Sequence, residues 1–294
     1  MSRFSPSDAA LEGFRLTRER PGTVLAWGVV YAIGITLIGQ LMLAALDPQL
    51  MHLVGKRDLA PDDIEQISTM LAKSWPAFLL VLAPVMALTA TFQAGIYRLV
   101  LRPQEKGFLH LRFGADELKL AAVNVLMVVI GLICLFVEFI ALNLAGQGGG
   151  VFALIGAAAI LAFTIWVGVR LSLVTPYTFA EHKIDLKGAW ALTRGHFWRL
   201  LGMLVLAVIF YIMVWLLISI VAAALVALAG GAEAIADIRH LGPAALISFL
   251  LYLALELILQ VVQVVMISSP LAVAYQQLHV DPPAAPAPAE PLSA

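Results

Sequence analysis

Glu256, Tyr252, Gln260 and Gln263 fall four, eight and eleven residues apart within an apolar run, and at helical spacing they form one stripe. A carboxylate in such a run is costly to ionise, and its amide and hydroxyl neighbours suit it to relaying a proton or coordinating a small solute. The same groups can equally act as hydrogen-bonded glue between helices, with the acid protonated. Facing lipid would cost about 2.5–3.5 kcal/mol for an ionised Asp at a helix centre, so the stripe is expected to face the interior of a bundle. A second acid, Glu138, shares a helical face with Asn124 and is expected on the same interior polar path.

Other constellations fall short of chemistry. The stretch EHKID brings Glu181, His182 and Asp185 together, with His196 further on, but no H-E-x-x-H pair occurs; these read as solvated loop residues, with no metal and no cofactor implied. Neither a G-x-S-x-G elbow nor a phosphate-binding loop is present. No catalytic cluster emerges, so the chain is expected not to be an enzyme. Its single cysteine, Cys134, sits in an apolar run and reads as a small hydrophobe.

The elements that position these residues follow from composition. The 294 residues are 62% hydrophobic and 13% charged, with mean hydropathy +0.95, far from the roughly 45–50% apolar and 25% charged of soluble domains. Six segments are long and apolar enough to cross a bilayer, at about 23–46, 75–97, 120–142, 151–175, 200–229 and 244–268. Spans of this length must be helices, because lipid offers the backbone no hydrogen-bond partner. The fold class is therefore all-α, a polytopic six-span bundle forming one transmembrane domain over 1–280. The Pro/Ala-rich tail 281–294 is expected to be disordered. The first run is too long for a cleaved signal and is read as a retained span.

Lys and Arg segregate. Four precede the first span, five lie between spans two and three, and five lie around the connection from span four to span five, fourteen of the eighteen in all. Lys56, Arg57, Lys73 and Arg239 lie on the opposite side, so both termini are expected in the cytoplasm of a bacterial-type inner membrane. The outer loop 47–74 contains APDDIEQISTMLAKS, where Pro61 and two Asp suit a helix start. Its Ile64, Ile67 and Leu71 share a face that lies on the outer surface or packs over the bundle mouth. The glycine-rich NLAGQGGG reads as a tight hairpin turn.

Shifting the chain by 176 residues sets Phe14 on Trp190 and Leu16-Thr17-Arg18 on Leu192-Thr193-Arg194, each stretch preceding a span. FGADELKL at 113–120 is a looser third copy, so the chain reads as three units of amphipathic helix plus hairpin. In the last unit Leu186, Ala189, Trp190, Thr193 and Phe197 fall in one helical arc flanked by Lys187 and Arg194. That arc is expected to lie in the headgroup boundary, its cations reaching lipid phosphates. Phe14, Arg15, Arg18, Lys187, Trp190, Arg194, Trp198 and Arg199 are the expected lipid contacts. Each near-surface cation gains about 1 kcal/mol from an anionic leaflet, which anchors a helix or recognises a headgroup.

Through Arg170, Pro176, Trp190 and ALTRGHFWRLL, residues 170–275 resemble the multi-span membrane domain attached to some bacterial glycerophosphodiester phosphodiesterases, and the related YciC-type inner-membrane proteins. That family's soluble catalytic barrel has no counterpart in this sequence, so the resemblance implies a membrane domain without the hydrolase activity. Expected partners are membrane lipids and an unidentified membrane protein, not nucleic acid. Three roles stay open: handling or sensing of lipid or a small solute, structural assembly with another envelope protein, and intramembrane lipid modification.

Overall fold

The computed structural model describes residues 5–54, 60–104, 108–144, 150–231 and 242–279, and every regular element among them is helical. The turn at 145–149, the tail from 281, and Arg3, Lys56, Arg57, Lys106 and Arg239 lie outside the described residues. Among the described residues, six helices are long and apolar enough to cross a membrane.

The chain's first helix, α1, is Pro6–Glu19, where the Ser5 hydroxyl accepts the Asp8 amide. Helix α2, Pro21–Ala45, begins at Pro21, which suits a first turn because its missing N–H would be unsatisfied there anyway. Short α3, Pro48–Val54, and α4, Pro61–Lys73, follow. The Asp63 carboxylate accepts the Ala60 amide at 3.1 Å and fixes the start of α4. No residue of α4 is buried, and Ile64 and Leu71 stay exposed, so its apolar face does not pack over the bundle.

Helix α5, Trp75–Leu101, is joined by a 3-10 turn at Phe108–His110 to α6, Ala115–Leu144. The return span consists of α7, Gly150–Leu171, and, after a break at Ser172–Leu173, α8, Val174–Glu181. Then come α9, Leu186–Leu192, α10, Phe197–Leu228, and α11, Pro243–His279. Pro84 and Pro270 lie inside continuous helices.

Successive spans alternate in direction, which gathers α1, the 3-10 turn, α8 and α9 at one end of the bundle, here called the junction end. The core lies there too. Trp27, Phe92, Tyr97, Leu120, Phe179 and Met266 pack together, drawn from α2, α5, α6, α8 and α11. Along α11 the buried residues run from Leu259 to Tyr275, whereas Leu246, Ile247, Leu250 and Leu251 are exposed. The far halves of α6 and α10 likewise present Leu, Ile, Phe and Val outward. An apolar exterior on helices whose backbones are internally bonded is what a hydrocarbon solvent permits.

The three junctions are not built alike. Helix α1 docks on α11 and α10, burying Ala9, Ala10, Glu12, Gly13 and Leu16. The middle unit has no separate amphipathic helix, because residues 115–120 form the first turns of α6 itself. In the last unit α9 ends at Leu192 and Phe197 begins α10, so the arc from Leu186 to Phe197 is not one helix.

Candidate functional site

Helix α9 starts where the Asp185 carboxylate accepts the Gly188 amide at 2.9 Å, and it rests on α7 and α8. The arc expected in the headgroup boundary faces the protein instead. Ala189 and Thr193 are fully buried, because their small side chains seat the helix and the Thr193 hydroxyl has a partner inside: Arg170 Nη1 donates to it at 3.2 Å. The Arg170 guanidinium also lies over the Trp190 ring at 4.8 Å, and Trp166 meets Trp190 edge-on at 5.2 Å. Trp190 is thus half-buried and held between Arg170 and Trp166.

Lys187, Arg194, Trp198 and Arg199 remain exposed around this seat, Trp198 at 79%. Among the described residues neither Lys187 nor Arg194 forms an ion pair. Between them lies a groove of about 420 Å³ lined by Leu171, Leu186, Lys187, Trp190, Ala191 and Arg194. Its floor is apolar and its rim carries two free cations. At the first junction Phe14 packs edge-on against Phe210 at 5.4 Å while staying partly exposed. Arg15 pairs with Glu12 at 2.8 Å, and Arg18 is exposed.

The stripe on α11 does not face the bundle as expected. Gln260 is exposed, and Tyr252, Glu256 and Gln263 are half-buried. The helix turns Leu259, Val262 and Met266 inward, and Gln260 stands about 100° round from Leu259, so the stripe runs along an edge of the packed face. Glu256 lies within electrostatic range of Tyr211 on α10. Nor do Glu138 and Asn124 share a path. Asn124 Nδ2 donates to Gln93 Oε1 at 3.0 Å on α5, whereas Glu138, about 21 Å further along α6, has a buried Oε2 without a partner among the described residues.

The EHKID stretch is engaged although His182 and Lys183 stay exposed. A guanidinium cannot accept, so His182 Nε2 accepts from Arg102 at 2.8 Å and His182 Nδ1 donates to Asp116 at 2.8 Å. Glu181 accepts from the Tyr275 hydroxyl at 3.1 Å and faces His279 at 3.4 Å. Beneath this layer Arg98 and Glu117 form a buried ion pair, and Arg98 donates to the His110 carbonyl at 2.9 Å. The ring of His110 is held below its ordinary pKa by burial and by the nearby Arg20, Arg98 and Arg112. This network ties α5, α6, α8 and α11 together across 63 to 94 residues of chain. Only the density of charges at 98–119 and 181–187 signals it in the sequence; the pairing does not.

Among the described residues no group of three or more His, Cys, Asp or Glu is placed to hold a metal ion. Most groups of the polar network are paired with its own members, although His110 Nδ1 is buried without a partner among the described residues, whereas the α9 groove offers free cations beside an apolar floor. That makes the groove the better ligand site. No protein-family model, curated protein or solved structure matches the chain.

Proposed function

We propose that this integral membrane protein is a non-enzymatic lipid-handling domain that holds an anionic phospholipid headgroup at the groove beside α9, in the cytoplasmic leaflet of a bacterial-type inner membrane. The observation that carries the reading is the pairing of Lys187 and Arg194, both free, across a groove floored by Leu171, Leu186 and the braced Trp190. A phosphate sits between the cations while the glycerol and upper chains lie on the apolar floor. Trp198 and Phe113, 79% and 82% exposed, stand where an aromatic belt anchors a protein at the lipid–water boundary. The segregation of Lys and Arg supports the cytoplasmic placement, and the resemblance of residues 170–275 to a membrane domain joined to phosphodiesterases of lipid-derived glycerophosphodiesters is in keeping with a lipid ligand.

Two near-surface cations together contribute about 2 kcal/mol toward an anionic lipid, or about 30-fold in affinity. Native mass spectrometry of the protein in mixed phosphatidylglycerol and phosphatidylethanolamine micelles reads this directly. The Lys187→Gln/Arg194→Gln variant should lose the preference for phosphatidylglycerol by about that factor. An unchanged preference rejects the reading.

The stripe on α11 takes the structural role under this reading. Glu256 is half-buried within electrostatic range of Tyr211 on α10, and exposed Gln260 joins no interior path. Glu256→Gln should therefore leave lipid preference intact and lower thermal stability only slightly.

A further inference from the structure

Beyond the surface groove, a second cavity of about 360 Å³ opens within the spans between α6 and α7, closed off toward α5 by Gln93 and toward α11 by Leu271. Its volume is near the lower end of small-molecule sites, roughly 300–1,000 Å³. Along α6 it extends from Asn124 to Cys134, about 15 Å at the helical rise. Its two ends differ in character. Toward the junction end stand the Asn124–Gln93 amide pair, Ser172 and Thr175, and toward the far end the wall is Met127, Ile130 and Cys134 with the single hydroxyl of Thr164. No charged side chain lines it.

Asn124 is only 8% exposed, yet its amide makes one hydrogen bond, to Gln93, and Gln93 makes no other among the described residues. Whichever way the two amides are turned, one N–H donor group and one carbonyl acceptor remain unmatched at the cavity's polar end. Both residues line the cavity, so a ligand presenting a hydroxyl and a carbonyl there would satisfy both groups. Two glycines keep the rest of the volume open. A Cβ added at Gly131 on α6 or at Gly168 on α7 would meet no atom within 4 Å. Glycine weakens a helix relative to alanine, and in membranes its usual compensation is close helix contact. Neither residue makes such contact, so what the pair provides is room. Gly168 is exposed, which leaves the cavity open sideways to the bilayer.

We infer that this cavity binds an uncharged single-chain acyl lipid of the monoacylglycerol class, entering from the membrane. The Asn124–Gln93 pair holds its hydroxyl and ester groups, and its chain lies along Gly131 and Gly168. A charged headgroup would find no counter-charge and belongs to the α9 groove instead.

The full-length protein in nanodiscs tests this with a monoacylglycerol carrying a diazirine on its chain, and with a lysophosphatidate carrying the same chain. The uncharged probe should label residues 127–134 and 164–171 saturably on illumination, at about tenfold lower concentration than the charged one. Gly131→Leu with Gly168→Leu should abolish that labelling, and Asn124→Leu should weaken it about tenfold, with thermal unfolding retained. Gly168→Leu alone, on the open side of α7, serves if the double variant does not fold. Lys187→Gln/Arg194→Gln should leave the labelling unchanged, which separates this site from the surface groove. Labelling that never saturates, that survives filling of the cavity, or that is equal for the charged probe overturns the inference.

Discussion

The Arg170 guanidinium stands 4.8 Å above the Trp190 ring while its Nη1 donates to the buried Thr193 hydroxyl at 3.2 Å, so one side chain on α7 braces the C-terminal end of α9, next to the exposed Arg194. A planar fork can stack and donate at once, and a lysine ammonium cannot. A desolvated cation–π contact is worth about 2 kcal/mol, and Arg170 is 8% exposed. Arg170→Lys should therefore cost about 1–2 kcal/mol, seen as a lower Tm in detergent, and trypsin should cut faster at Lys187 and Arg194. Unchanged proteolysis would show that α9 is braced by something else.

At the first junction the spacing between helices is set by a glycine. A Cβ on Gly13 would come within 2.8 Å of Met266 Cα, a backbone atom of α11 that cannot turn aside. Gly13→Ala should push α1 outward, separate Phe14 from Phe210, and cost about 1–3 kcal/mol. Gly22→Ala, where a Cβ meets nothing within 4 Å at the start of α2, is the control and should be neutral to slightly stabilising. Thermal unfolding of the two variants side by side checks the contrast.

The same helix carries an acid with an unfavourable address. Glu12 is 8% exposed, and burial raises its pKa above the ordinary 4.5 despite the Arg15 guanidinium, which is itself largely exposed and weakly held. An acid with a raised pKa in the folded state binds its proton more tightly there than in the unfolded chain. Its effect on stability thus becomes unfavourable as pH rises from about 4.5 through the raised value. Glu12→Gln should be the more stable protein at neutral pH, with the advantage vanishing toward pH 4. Melting curves taken across pH 4–8 read the sign directly.

The spans were legible because bilayer thickness fixes how long an apolar run must be, and no tertiary detail alters that arithmetic. Which face of a helix turns inward was not. The polarity of Glu256 and Gln260 pointed to an interior stripe, but Leu259, Val262 and Met266 on the adjoining face offered better packing and set the rotation of α11. Likewise the Trp190 arc had the pattern of a helix lying in lipid. The inward pull came from Arg170, twenty residues away in sequence, whose guanidinium needs Thr193. His182 paired with Asp116 and Arg102 for the same reason: contacts made by folding over such separations leave no local periodic signal.

Everything proposed for the α9 groove rests on the basic junctions lying on the cytoplasmic side, and accessibility of a single cysteine tests that most directly. In a Cys134→Ala background, Lys187→Cys should react with a membrane-impermeant maleimide only after spheroplasts are permeabilised, whereas Gln49→Cys at the opposite end should react while they are intact. Labelling of position 187 in intact spheroplasts, with position 49 protected, would contradict the account.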